Sequence, residues 1–423
     1  VMWGNSSNFN SNMQGFLIFN TNFGEFSSTT SVGMTRLHTN TNFILNRGRG
    51  LAGGQTNLQW ANVVSVQEQT LSEVTDVGIV AQEELNWGDK IIATLGVRFD
   101  KSTLNAQQDE FYAFPKASVA MNLHNFDFWS SGLFNQLKLR AAYGETGGLP
   151  LFGRTFESLT PQLIGGSLGG QVGTRGVDPD LVPETAAEFE VGIDFGILNS
   201  RVYGEVTYYN KNVRDLILDL EPAEATGITA IATNAADLTN KGWEITVGAI
   251  PVQRPNFEWN LQLLWWRNRS EITDLQIPTQ TVGGFGASLG TYLIAEGQSP
   301  TTVVGNPQGT ENPGGFTIYG DRQADFDMSL FNSIRFLKNF EFSFLLHWKQ
   351  GGNNINLSAL LWDLGGTTPG WDDDDDGDGV VNGRQRVSEW GGGNTGVYIQ
   401  ESTYWKLREV GLYYSIPASV TTT

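Results

Sequence analysis

Several residue types that often mark a functional class are absent or scarce in this sequence. Its 423 residues include no Cys and only three His, which excludes disulfide frameworks and metal centres built from Cys and His. Lys and Arg number 26 against 45 Asp and Glu, for a formal net charge of −19. Nucleic acid is therefore excluded as a partner, because phosphate binding needs clustered positive charge.

Long apolar runs are missing as well. No segment approaches the roughly 18 to 20 consecutive apolar residues of a membrane helix, so a membrane protein with this sequence has to be a β-barrel. The N-terminal stretch VMWGNSSNFNSNMQG has neither a basic nor an apolar leader, and the chain ends in the turn-like tail SIPASVTTT. We therefore expect both ends to lie within a longer polypeptide.

The sequence is rich in Gly and in aromatic residues, and it alternates in polarity along its whole length. It contains 51 Gly and 13 Trp, and Phe189, Val191, Ile193 and Phe195 alternate with acidic residues and Gly, which is the pattern of a strand. Similar segments are residues 91–100, 137–144, 243–248, 259–268 and 340–348. Large aromatics in every strand are hard to pack into a closed sandwich core but suit a face exposed to lipid. The predicted fold is all-β, a transmembrane antiparallel β-barrel.

The connections between predicted strands alternate between short and long. Short turns are predicted near residues 87–89, 198–200, 251–256 and 338–339, and long loops at 149–180, 276–320 and 351–396. In barrels of this kind the short turns are periplasmic and the long loops extracellular. We predict that residues 1–423 form part of one transmembrane β-barrel domain.

Six segments, in order, resemble the barrel half of the SusC-like TonB-dependent transporters of Bacteroidetes-type bacteria. They are RFDKS (98–102) with a later FP (114–115), LKLRAAYGETGG (137–148), the segment from LVPE to DLIL (181–218), ATNAADLTNKGWEI (232–245), YGDRQADF (319–326) and STYWKLREVGLYYSIP (402–417). Asn234, Asn240, Gly242 and Glu244 occupy the family's positions in the fourth segment. Gly148 stands where the family usually has Asn, and Ala324 where it usually has Pro.

The resemblance implies a role in transport. It implies an outer-membrane protein that is not an enzyme and needs no cofactor for transport, with a plugged barrel of about 22 strands when complete. It also implies a SusD-type lipoprotein over the extracellular loops and energy from TonB, ExbB and ExbD for importing an oligosaccharide or peptide too large for porins. We expect the plug domain and the closing C-terminal strands to lie outside these 423 residues. Two alternatives stay open: a structural or adhesive barrel that serves as a docking platform, and a passive porin.

Two enzyme hypotheses follow from the residues on the predicted inner face. Ser343 and His347 share that face and resemble a nucleophile and base, but no acidic partner is placed to orient the imidazole. Glu188, Glu190 and Asp194 resemble paired glycosidase carboxylates. In both cases a polar lumen lining is the simpler interpretation.

Two loop features bear on ligands but identify none. The Gly-rich residues 165–176 lack the Lys-Ser/Thr of a phosphate-binding loop, which predicts a mobile loop. Trp362, Trp371 and Trp390 suit sugar stacking, although interface anchoring explains Trp in a barrel equally well.

The sequence WDDDDDGDGVVNG (371–383) resembles a calcium-binding loop. Counting from Asp374, the alternating ligands are Asp374, Asp376 and Asp378, then the carbonyl of Val380 and the side chain of Asn382, with a Gly at the sixth place. Such oxygens converge on a hard divalent cation. The twelfth place is Gln385, not the usual bidentate Glu, and no flanking helices are apparent. We predict a Ca²⁺ site, with a solvated acidic run as the alternative.

Overall fold

A computed structural model of the chain describes residues 1–306 and 315–416. Thirteen strands form one antiparallel sheet in the order β1-β2-β3-β4-β5-β6-β10-β11-β12-β13-β18-β19-β22, and β9 adds to β12 in parallel. The barrel strands are β1 (Met2–Phe23), β2 (Phe26–Leu51), β3 (Ala61–Trp87), β4 (Ile91–Ser102), β5 (Tyr112–Asn122), β6 (Phe134–Gly148), β10 (Glu184–Ile197), β11 (Val202–Leu220), β12 (Ala230–Arg254), β13 (Phe257–Leu275), β18 (Phe326–Phe336), β19 (Phe340–Gln350) and β22 (Tyr404–Tyr414). The all-β, antiparallel prediction is confirmed.

Tight turns join the strands at one end of the sheet. Gly88 and Asp89 connect β3 to β4 with φ of 51° and 54°, the left-handed backbone that two-residue hairpins require. The turn predicted at residues 251–256 is shorter than expected, since β12 runs to Arg254. Pro251 lies inside that strand, where the register with β13 shifts between Ala249 and Val252. Proline has no N–H to donate, so it is accommodated at such an irregularity.

The long connections at the other end contain regular structure of their own. The first holds the hairpin of β7 (Leu159–Ile164) and β8 (Ser167–Val172), followed by β9 (Arg175–Val177). The Gly-rich residues 165–176, predicted to be a mobile loop, therefore supply the turn and second strand of a hairpin. In the second connection, β14 (Gln280–Val282), β15 (Thr291–Ile294), β16 (Thr302–Gly305) and β17 (Thr317–Asp321) make a small sheet.

The third long connection contains two helices that the sequence did not reveal. They are α1 (Leu357–Leu364) and α2 (Asn382–Gly391), accompanied by a small ladder between β20 (Asn353–Ile355) and β21 (Ile399–Glu401). The expectation that no helices flank the Asp-rich run is therefore wrong. Both helices are short, so neither repeats its apolar pattern often enough to stand out from a sequence dominated by strands.

The buried apolar core lies where the long connections meet the loop-side ends of β12 and β13. Ala236, Ile272 and Ile294 form its centre, and Leu181, Val303 and Val304 are also fully buried. Elsewhere on the barrel strands, large apolar side chains such as Leu95 and Leu412 are about two thirds exposed (66% and 68%). Among residues 1–306 and 315–416, no helix is long and apolar enough to span a membrane.

Part of the predicted loop 276–320 (residues 307–314), together with Pro417 at the end of the last family-like segment, lies outside the described residues.

Candidate functional site: the inner barrel wall and the loop platform

The two faces of the large sheet differ in chemistry. On β19, Phe340, Phe344 and Trp348 share one face, which we call the outer face, while Ser343 and His347 lie on the opposite, inner face and are almost fully buried. The ladder pairing carries these two faces from strand to strand, because paired residues point to the same side. The alternation predicted from the sequence assigns the faces in the same way.

Two aromatic clusters bound the outer face. At the short-turn end, Phe23, Phe26, Trp87, Phe126 and Phe128 follow one another with ring centroids 5.2–6.0 Å apart. At the other end, Trp265, Phe326, Trp348 and Trp405 form a second row, with centroids 4.5–6.2 Å apart. Phe340 to Trp348 covers about 20 Å of height at a strand tilt of about 40°. This separation approaches the apolar band of a barrel between its two aromatic girdles.

An ion network on the inner face joins two of the family-like segments, through Arg140 of residues 137–148 and Asp194 of residues 181–218. Arg140 Nε lies 3.0 Å from Asp194 Oδ1, and Lys138 Nζ lies 3.6 Å from the other oxygen of the same carboxylate. The Arg140 guanidinium also lies 3.6 Å from Glu205. A Cβ at Gly192 would come within 2.7 Å of that guanidinium, so the missing side chain allows Arg140 to cross β10. Both Asp194 oxygens therefore form ion pairs, which does not fit the glycosidase hypothesis for this carboxylate.

A second network of the same design lies on β3 and β4. Arg98 Nε donates to both Asp100 oxygens at 2.7 Å, and its Nη2 reaches Thr35 Oγ1 at 3.0 Å. Gly78, between Arg98 and Thr35, would place a Cβ only 2.1 Å from Nη2. Arg98 of the segment RFDKS and Arg140 of the segment LKLRAAYGETGG thus each cross a glycine on the neighbouring strand and bind a polar residue beyond it.

Other motif residues fasten the long connections to the strands. The Asn234 side-chain amide accepts from the Val182 backbone N–H (2.9 Å) and donates to the backbone carbonyl oxygens of Val182 (3.0 Å) and Asp215 (2.6 Å). Asp321 Oδ1 accepts from Thr301 Oγ1 at 2.6 Å. The Asn234 bonds hold the end of the first long connection against β11 and β12, while the Asp321 bond lies within the second long connection.

His347 has partners that the sequence did not supply. Its Nδ1 lies 2.9 Å from Ser329 Oγ, and its Nε2 lies 3.4 Å from Asp327 Oδ1. Ser343, considered as its partner from the sequence, lies instead opposite Ser333 and Gly411. An acidic partner therefore exists, on the neighbouring strand β18, where only the antiparallel register brings it close.

The two helices of the last connection are held together by a buried ion pair. Arg386 on α2 donates from Nε and Nη2 to the two Asp363 oxygens at 2.8 and 2.7 Å, and Tyr398 Oη donates to the same carboxylate at 2.9 Å. Asp363, on α1, is fully buried. The Arg386 hydrogen bonds hold the pKa of Asp363 below its usual range, while burial and the Asp363 bond raise the pKa of Tyr398.

This helical unit and the small sheet of the preceding connection form one body, which we call the loop platform (residues 276–306, 315–325 and 351–403). Trp390 Nε1 donates to Ser288 O at 2.8 Å, and Thr395 Oγ1 donates to Ala287 O at 2.9 Å. Trp371 covers Gly383, where a Cβ would lie 1.8 Å from the ring. Trp362 is 54% exposed. Of the three Trp considered for sugar stacking, only Trp362 presents a largely open ring.

The Asp-rich run lies between α1 and α2 on this platform. Carboxylate oxygens of Asp374, Asp376 and Asp378 all lie within 4.8 Å of one another, and all three residues are exposed. Asp374 accepts from the backbone N–H groups of Gly377 (2.9 Å) and Gly379 (3.0 Å). Gly379 has a φ of 84°, as the sharp turn at the sixth place of a calcium loop requires.

The remaining predicted ligands are arranged less simply. Asn382 is the first residue of α2, and its amide bonds Asp375, with Nδ2 donating to Oδ2 at 2.9 Å. Val380 donates its N–H to Asp378 Oδ1 at 2.7 Å. Gln385, at the twelfth place, reaches Asp376 Oδ2 with its amide at 3.4 Å. The structure thus brings Gln385 to the acidic triad and pairs the Asn382 amide with the neighbouring Asp375.

Comparison with known proteins identifies the barrel. Residues 3–308 match the family model described as TonB dependent receptor-like, beta-barrel. This chain belongs to that family. Its members are transport proteins, not enzymes, and lie in the bacterial outer membrane, so the predictions of localisation and of no enzymatic activity agree with the family.

Curated relatives and solved structures add detail. TonB-dependent receptor P26 of Formosa agariphila is 27% identical over 313 residues, which is 64% of this chain and 31% of the relative. TonB-dependent receptor SusC of Bacteroides thetaiotaomicron is 24% identical over 66% of this chain and 32% of SusC. A chain of the RagAB peptide importer matches the whole of this chain with a TM-score of 0.78 at 14% identity, and the match covers 50% of that chain. The predicted SusC-like resemblance is confirmed, and the chain spans 31% to 50% of the length of these proteins.

The sequence missed two parts of this site. The partners of His347 come from β18, and the Asp363–Arg386 pair joins residues 23 positions apart across the Asp-rich run. A signal for the second was present, since Asp363 and Arg386 flank the acidic run in the sequence, but many charged pairs in loops share that spacing.

Proposed function

We propose that the full-length protein imports a nutrient too large for porins, an oligosaccharide or a peptide, across the outer membrane by TonB-dependent active transport. The observation that carries the proposal is membership of the TonB-dependent receptor barrel family over residues 3–308. A wall whose inner face is lined by ion networks and hydrogen-bonding side chains suits a hydrated passage for polar cargo. The structural neighbour RagAB is described as a peptide importer, which supports a peptide as one of the two candidate cargoes.

The proposal includes two partners. A SusD-type surface lipoprotein would dock on the loop platform, where Leu361, Trp362 and Leu364 of α1 are each more than half exposed, an apolar group that suits a protein contact. Periplasmic TonB, energised by ExbB and ExbD, would drive release of the cargo. A structural or adhesive barrel and a passive porin are the competing functions.

Uptake measurements in the native bacterium separate these functions. Import of labelled oligosaccharides or peptides by cells that carry the full-length protein should stop when the proton gradient is collapsed or TonB is deleted, while surface binding persists. Uptake that continues unchanged would identify a diffusion pore. Surface binding without any uptake in energised cells would identify a docking barrel.

We also propose that the Asp-rich run binds one Ca²⁺ through Asp374, Asp376 and Asp378, with the Val380 carbonyl and with Asn382 through its side chain or a bridging water. The convergence of three carboxylates within 4.8 Å supports it, because such a cluster repels itself without a cation. Gln385 lies where the bidentate Glu of a strong site would be, so the expected dissociation constant is about 10⁻⁴ to 10⁻³ M.

Limited proteolysis tests the calcium proposal. Calcium at millimolar concentration should protect residues 371–383 of the wild-type protein from cleavage, and Asp376→Ala should abolish this protection without affecting barrel assembly. Asp372→Ala, in the same acidic run but outside the alternating triad, is the matched control. Equal loss of protection in both variants would indicate a nonspecific acidic loop.

A further inference from the structure

A cavity of about 340 Å³ lies on the inner face between β1 and the end of β6. Its wall includes Gln14, Leu37, Asp76, Asn105, Tyr112 and Phe114. These residues come from β1, β2, β3, β5 and the connection between β4 and β5, so only the folded sheet assembles them. The cavity adjoins the Arg98–Asp100 network near the long-loop end of the strands.

Unpartnered polar atoms concentrate around this cavity. Asp76 Oδ1, both amide atoms of Asn105 and the Tyr112 hydroxyl are buried and have no hydrogen-bond partner within residues 1–306 and 315–416. They are four of the seven such side-chain atoms found there. Asn105 as a whole is only 1% exposed. Native proteins leave few buried polar groups unsatisfied, so four around one cavity indicate groups kept for a ligand.

The two cations beside the cavity are already paired with carboxylates. The Arg98 guanidinium is held by Asp100 and Thr35, and Lys101 Nζ lies 3.2 Å from Asp109. Neither cation is therefore free to bind an anionic ligand. The groups that remain are carboxamide, phenol and one carboxylate oxygen, which together offer donors and acceptors side by side.

We propose that this cavity is a subsite for one sugar ring of a neutral oligosaccharide. The proposal rests on the import function above and narrows its cargo class. Adjacent hydroxyls both donate and accept, so they satisfy the Asn105 amide and Asp76 together, whereas an ammonium group would leave the Asn105 N–H donors unpaired. Phe114 and Leu37 supply apolar surface for the C–H face of a ring. A volume near the lower limit of ligand pockets suits one ring.

Asn105→Leu separates a binding role from a structural one. Leucine has a similar volume and removes an amide that has no partner in the protein, so thermal stability should stay the same or rise. Oligosaccharide affinity should fall about tenfold, as expected when the hydrogen bonds of one buried group are lost. The probes are neutral oligosaccharides from partial hydrolysis of starch, laminarin, inulin and xylan, titrated calorimetrically into the purified full-length protein. Gln262→Leu, on the inner face of β13 outside the cavity, is the matched control and should bind normally.

Asp76→Asn gives a second test should Asn105→Leu fail to fold. The substitution keeps the shape of the side chain and replaces the carboxylate, a strong hydrogen-bond acceptor, by a neutral amide. Wild-type affinity in both variants would overturn the proposal, as would failure of every oligosaccharide to bind the wild-type protein. Tryptic peptides of casein that bind and lose affinity in the variants would assign the cavity to peptides and overturn it as well. Uptake that is independent of TonB refutes active import but leaves these binding results intact, so the two failures are distinguishable.

Discussion

Replacing Phe344 by Arg would place a guanidinium at the middle of the outer face. Phe344 lies four residues from Phe340, which stacks on Phe336 at the short-turn end, and four from Trp348 in the aromatic row at the other end, so it sits near the centre of the apolar band. An Arg at the bilayer midplane of a barrel costs about 2–4 kcal/mol. The substitution also removes the ring contact with Phe342, whose centroid lies 5.9 Å away. We expect a loss at the upper end of that range.

The structure indicates the best inner-face control for this substitution. Ser343→Arg should be milder than Phe344→Arg, but Ser343 is only 3% exposed and lies beside Gly411, so crowding would add a cost unrelated to lipid. Leu345 also faces inward and lies opposite Glu409 in the β19–β22 register. Leu345→Arg would gain a cross-strand ion pair, worth about 0.2–1 kcal/mol.

Folding into lipid vesicles measures the difference. The full-length variants would be unfolded with urea in vesicles and followed by the change in gel mobility that marks a folded barrel. Phe344→Arg should lower the unfolding free energy by several kcal/mol, and Leu345→Arg by less than about 1 kcal/mol. Equal costs, or the reverse order, would mean that the outer and inner faces are assigned wrongly.

Further predictions concern the platform and the inner wall. Asp363→Asn leaves Arg386 without its charged partner and should destabilise the platform by about 2–3 kcal/mol. This cost is smaller than for a fully buried pair because Arg386 is 32% exposed. Faster hydrogen exchange in α1 and α2 would show the destabilisation. The folded-state pKa of Asp363 is lowered. The stability that Asp363 adds to the platform is therefore complete above the unfolded pKa near 4 and is lost as the pH falls through the folded pKa. Protection of α1 and α2 from hydrogen exchange that fails at neutral pH but returns in acid would contradict this assignment. Gly383→Ala should cost about 1–3 kcal/mol by pushing Trp371 aside, seen as a changed Trp fluorescence. Gly78→Val should break the Arg98 bond to Thr35 and lower the melting temperature of the barrel, with Gly15→Val, where a Cβ meets nothing within 4 Å, as the control.

The sequence by itself determined the fold class and the two faces of the barrel wall. Alternation at Phe189–Phe195 and Phe340–Trp348 has a period of two, and this period is a local property that no distant residue alters. The short turns followed for the same reason, since Gly88 and Asp89 supply the left-handed backbone that a hairpin needs. The family-like motifs were also visible, because each lies within one strand or one turn.

Tertiary structure alone decided which distant side chains meet. The Asp327 and Ser329 contacts of His347 depend on the β18–β19 register, and the Asp363–Arg386 pair depends on how two short helices pack. The cavity beside Asn105 needs four strands and a loop in place at once. Each of these contacts pairs residues far apart along the chain, and a one-residue slip in register would turn the side chains to the opposite face. Local patterns therefore specify the wall of this barrel, while the long-range pairing of its strands specifies the groups that the wall presents.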